Sequence, residues 1–108
     1  MTGIQNIRIT MLDLDKYVER TLEIKINNKT VNLHEVSVSD YDEMIDIEAM
    51  NGKKGAAAQN AFIVKVLNNN KEGVTFSKEE VYALPKSAIN ALWMSLITQT
   101  LSTVNEKN

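Results

Sequence analysis

The chain has 108 residues, 44% of them apolar, a formal net charge of −2 and no cysteine. Such a length and composition suit one domain with a modest core. The absence of cysteine excludes disulfides, thiolate metal sites and cysteine nucleophiles. Ten of the twelve basic residues are lysines scattered along the chain, which is not the clustered footprint of a nucleic-acid binder.

The opening residues, MTGIQNIRIT, lack the basic-then-apolar plan of a signal peptide, so a cytoplasmic protein is expected. Residues 1–20 allow two readings. Ile7, Ile9 and Met11 alternate and would form a third strand over 7–14, or the segment would be a mobile arm. A β-hairpin is expected over 21–38. Leu22, Ile24 and Ile26 alternate with Glu23 and Lys25, Val31 and Leu33 flank Asn32, and the intervening NNKT suits a tight turn.

From residue 39 to the end the period changes to that of helices. Ser39 reads as an N-cap, with Asp42 at capping-box spacing and acidic residues in the first turn. Tyr41, Met44, Ile45 and Ile47 are expected on one face, with Gly52 as the stop. KKG then breaks the chain before a second helix, AAAQNAFIVKVL, which the run Asn68–Asn70 closes. Ser77 and Glu80 make a capping box for a short third helix, and Pro85 ends it and suits the first turn of a fourth. The fold class expected is therefore α+β and mostly helical: an N-terminal hairpin, then about four helices, the last one long.

That last helix, about Lys86 to Val104, contains SAINALWMSLITQTLSTVN, 19 residues without a charge. Only ten are apolar, and the many Ser, Thr, Asn and Gln side chains would be costly in lipid, so no membrane span is expected. Ile89, Leu92, Trp93, Leu96, Ile97, Leu101 and Val104 recur at spacings of three and four, as a core-facing stripe does. The opposite face, with Ser95, Thr98, Gln99 and Ser102 and with Met94 at its edge, is polar but uncharged. Interfaces are depleted in Lys and Glu, so this helix is expected to be covered on both sides, by its own domain and by a second protein or second copy.

Nothing in the chain assembles a catalytic constellation. His34 is the one histidine, which excludes a Ser-His-Asp triad around any other histidine and a multi-histidine zinc site within one chain, and it reads as a strand residue. NGKKGAAA lacks phosphate-loop spacing and reads as a connection. Asp40, Asp42, Glu43, Asp46 and Glu48 do not follow a calcium-loop pattern and read as a solvated helix face. Glu48 is the exception, being among apolar neighbours, where it would meet Lys53, Lys54 or a partner's cation. The expectation is a protein that is not an enzyme, with no cofactor and no metal.

From about Leu22 to the C-terminus the layout resembles the small tail assembly chaperones of long-tailed bacteriophages and prophages. The features that carry this are the β-type opening, VSVSDYDEM leading a helix, the mid-chain helix pair, and the ending LPKSAINALWMSLITQTLSTVNE. The resemblance implies a non-enzymatic protein of the host bacterial cytoplasm, absent from the mature virion. Such a protein binds the long tape measure protein, keeps it soluble, and helps tail tube protein polymerise around it. It also implies a homo-oligomer, with neither nucleic acid nor membrane as partner. On that reading Met94, Ile97, Gln99 and Leu101 form the partner-binding surface. Members of this family are often made in a second, frameshifted form, and codons GAA-AAA-AAY for Glu106, Lys107 and Asn108 would supply a slippery run. A structural tail or head-tail joining subunit and a small protein-binding regulator are the alternative readings.

Overall fold

A computed structural model of the chain describes residues 11–101. Residues Ile7 and Ile9 of the expected third strand, and the continuation of the last helix to Val104, lie outside the described residues. The part of that strand that is described, from Met11 onward, is irregular. It holds one turn of 3-10 helix, Leu14–Lys16, whose N-cap Asp13 accepts the Asp15 backbone N–H at 3.0 Å.

The described elements are two strands and four α-helices, so the chain is α+β and mostly helical. Strand β1 (Leu22–Ile26) pairs antiparallel with β2 (Lys29–Leu33), with Leu22 opposite Leu33, Ile24 opposite Val31 and Ile26 opposite Lys29. Asn27 and Asn28 form the turn, with φ of 51° and 65°. A two-residue hairpin needs this left-handed geometry to match the strand twist, and Asn adopts it readily. The register places Val31 and Leu33 at 0% exposure, while Glu23 and Lys25 face solvent.

Helix α1 (Val38–Glu48) begins two residues earlier than expected. Ser37, in extended conformation, is the N-cap, and its hydroxyl accepts the Asp40 N–H at 3.1 Å. Ser39 lies inside the helix. The sequence carries a serine three residues before an aspartate at both 37/40 and 39/42, so capping chemistry alone does not choose between them. The residues that α1 buries are Met44 and Ile47. Ile45 is correspondingly 50% exposed, contrary to its expected place on the inner face.

Helix α2 (Gly52–Leu67) corrects two further expectations. Gly52 opens this helix instead of closing α1, and KKG is helical instead of a break. Two lysines at a helix N-terminus oppose its dipole, and Asn51 supplies no side-chain cap, so local rules argued against a start there. Tertiary packing overrides them through Gly55, which is buried. A Cβ on Gly55 would stand 2.9 Å from the Met50 carbonyl oxygen.

After α2 the run Asn68–Asn70 knits a loop together. Asn68 accepts the Phe76 N–H at 2.7 Å and donates to the Phe76 and Val64 carbonyls. Asn70, at 8% exposure, accepts the Val74 N–H and donates to the Leu67 and Val74 carbonyls. Apart from the exposed bond to Val64, these bonds satisfy backbone groups that are partly or wholly buried. The same loop lies along the outer edge of β2. The His34 N–H donates to the Asn69 carbonyl and the Lys71 N–H to the Asn32 carbonyl, while Glu72 accepts both the Asn32 N–H and its side-chain amide at 2.8 Å.

Helix α3 (Lys78–Tyr82) has the expected Ser77/Glu80 capping box, and Pro85 precedes α4 (Lys86–Leu101), its carbonyl accepting the Ala88 and Ile89 N–H groups. The buried side chains form one cluster contributed by both strands, the four helices and Phe76. Trp93 of α4 meets Phe62 of α2 edge to face, with ring centroids 5.6 Å apart. Its indole N–H donates to the carboxylate of Glu48. That bond is the partner of Glu48, in place of the expected lysine or external cation. Among the described residues no helix is long and apolar enough to cross a membrane.

Candidate functional site

Helix α4, uncharged from Ser87 onward, turns only a narrow stripe to the core. Ile89, Trp93 and Leu96 are buried, and Leu92 and Ile97 pack partly against them. Beyond that stripe Met94 and Leu101 are 57% and 67% exposed, and Asn90, Ser95 and Thr98 are exposed beside them. Apolar groups therefore lie on both sides of the helix, which is broader than a stripe facing one core.

The four residues expected to form a partner surface are placed differently from one another. Met94 and Leu101 are accessible. Ile97 is half-buried against the core. Gln99 is tied inside the domain: its amide donates to the Arg20 carbonyl at 3.1 Å, and the Arg20 guanidinium donates to the Gln99 carbonyl at 2.8 Å. The same guanidinium pairs with Glu35 at 3.3 Å, and Glu35 also accepts the Arg20 N–H.

Between α4 and strand β1 runs a groove of about 380 Å³. Leu22 and Ile24 form one wall, and Ala88, Ala91, Leu92 and Ser95 form the other. A shallower depression lined by Leu22, Met94, Ser95, Thr98 and Gln99 continues it, because Leu22 and Ser95 border both. Ala88, Ala91 and Ser95 are small residues at helical spacing, so the groove floor reaches close to the helix backbone. Sequence reasoning named Met94 and missed this groove. The available signal was small residues at 88, 91 and 95 in the uncharged run from Ser87, but nothing local says which strand they face.

Glu23 and Lys25 of β1 also border the groove and bring one charge of each sign to it. Away from the groove, Lys65 of α2 meets Glu43 of α1 at 2.6 Å and Asp40 at 3.3 Å. The Glu43 hydrogen bond, with help from Asp40, raises the Lys65 pKa above its ordinary value. His34 sits just beyond β2 with its Nδ1 2.9 Å from Glu19, and that hydrogen bond holds the Glu19 carboxyl below its usual pKa. Among the described residues no group of three or more His, Asp and Glu side chains is placed to hold a metal ion.

Compared with known proteins, the chain matches no family model, no curated protein and no solved structure.

Proposed function

We propose that this chain is a non-enzymatic tail assembly chaperone of a long-tailed phage or prophage. It acts in the host cytoplasm, binds the tape measure protein, keeps it soluble while tail tube protein assembles, and does not remain in the finished particle. The observation that carries the reading is the uncharged, partly apolar outer side of α4 with the groove beside it. A long helix-rich polypeptide offers apolar stripes that aggregate until something covers them. The outer side of α4, with no Lys or Glu from Ser87 onward, covers such a stripe without burying a charge of its own, in the manner of a helix lying in a groove. The layout that resembles this family supplies the choice of partner.

The test is co-expression with the long helical protein encoded just downstream. The expected result is that the partner is insoluble alone and becomes soluble and bound in the pair. Unchanged solubility with no co-purification would overturn the proposal. Detection of the chain in purified particles would instead favour a structural tail component.

A further inference from the structure

The two edges of the hairpin are treated unequally. The outer edge of β2 is covered by residues 69–72, as described above. Among the described residues nothing pairs with the outer edge of β1. Ile26 and Lys29 flank a two-residue turn and so form a hydrogen-bonded pair, and ladder alternation makes Ile24–Val31 and Leu22–Leu33 the next ones. The backbone N–H and C=O groups of Glu23 and Lys25 therefore point away from β2. Such an edge, with no partner among the described residues, is a template for another strand.

The sequence of the edge says which strand fits. We propose that β1 pairs antiparallel with β1 of a second copy of this chain about a two-fold axis through Ile24, joining two hairpins into one four-stranded sheet. In this register Glu23 lies opposite Lys25 of the second copy, Lys25 opposite its Glu23, and Leu22 opposite its Ile26. The outward-pointing groups of Glu23 and Lys25 then bond each other, as an antiparallel ladder requires. Shifting the register by two residues either way also aligns outward groups, but sets Glu23 against Glu23 or Lys25 against Lys25. A shift by one sets outward groups against inward ones. Charge and ladder geometry thus select one register. Leu22, Ile24 and Leu92, half-buried in the single chain, become covered in the pair, and the small side chains of Ala88, Ala91 and Ser95 leave room for the incoming strand. This inference does not rest on the function proposed above; it gives the groove to the second copy and leaves the Met94 and Leu101 side of α4 to the proposed partner.

The test is sedimentation of the full chain across a concentration series, beside Glu23→Lys, Lys25→Glu and an equimolar mixture of the two. Both side chains face solvent, and far-UV circular dichroism confirms that the variants keep their fold. The wild type is expected to dimerise. Each variant sets like charges opposite each other twice and should raise the dimer Kd by about tenfold. The mixture restores opposite charges at both positions and should dimerise like the wild type. A wild type that stays monomeric throughout would overturn the pairing and leave the edge to another occupant, such as the chain's own residues 1–10. A wild-type dimer that the variants do not weaken, or variants that the mixture does not rescue, would place the contact on a different surface and overturn it equally.

Discussion

Arg20 and Gln99, 79 residues apart in sequence, hold each other through their main chains: each side chain donates to the other's carbonyl oxygen, at 2.8 and 3.1 Å. The tie fastens the segment entering β1 to the last described turn of α4. It also fixes one end of the groove, since Gln99 and Leu22 both border it.

Replacing Arg20 with alanine removes charge-assisted bonds to Gln99 and Glu35 and should cost roughly 1.5–3 kcal/mol. Gln99→Ala removes the neutral bond to the Arg20 carbonyl, whose loss should cost about 1 kcal/mol. Urea denaturation measures both. If Gln99→Ala is neutral, the tie does not constrain α4. Gln99 is for the same reason a poor site at which to probe partner binding.

Gly55→Ala supplies a test of sign. An exposed helical glycine gains up to about 1 kcal/mol on becoming alanine. Here the new Cβ would meet the Met50 carbonyl at 2.9 Å, so α2 or the turn before it must move. The substitution should destabilise by roughly 1–3 kcal/mol, the usual cost of overpacking. A stabilised variant would mean that the close approach is loose.

Acid should weaken the fold through three glutamates whose carboxyls lie below the ordinary value of 4.5. The cause is the His34 hydrogen bond for Glu19, the Asn32 backbone N–H for Glu72 and the Asn27 side-chain amide for Glu80. A carboxyl whose folded pKa is depressed contributes stability that is complete above its unfolded value and is lost as pH falls through the folded one. The urea midpoint should therefore decline below pH 4.5. The gap between wild type and Glu72→Gln should close over the same range. A gap that persists at pH 2 would show that the ionised carboxylate is not what matters at Asn32.

Met94→Glu and Leu101→Lys separate stability from partner binding. Both side chains are more than half exposed, so each change should shift stability by no more than about 0.5 kcal/mol. Each should nonetheless reduce the amount of soluble tape measure protein recovered on co-expression, as should Ser95→Glu. Full recovery with all three would remove the outer side of α4 from the proposed surface.

Much of this architecture could be read from the chain because it rests on local chemistry. Alternation around Asn27 and Asn28 marked the hairpin, Ser77 and Glu80 marked α3, and Pro85 marked the junction with α4. Where two local signals competed, reading failed. Ser37 and Ser39 carry the same capping spacing, and Gly52 and Gly55 look like punctuation in a lysine-containing loop. Asn68–Asn70 do close α2 as read, but the further work of the Asn68 and Asn70 amides, bonding the Phe76 and Val74 backbone of the loop that follows, was not legible.

The candidate surface divides along the same line. The absence of charge from Ser87 to Asn105 is a property of the residues themselves, and it marked α4 as unusual before any fold was known. Which of its polar groups are spent internally depends on neighbours far along the chain. Gln99 is held by Arg20, Trp93 by Glu48, and the groove needs β1 beside Ala88 and Ala91. Helix and strand periods follow from bonds between residues a few positions apart, so the chain carries them locally. Grooves and ties arise when segments tens of residues apart compete for the same buried space, and only packing of the whole domain settles that competition.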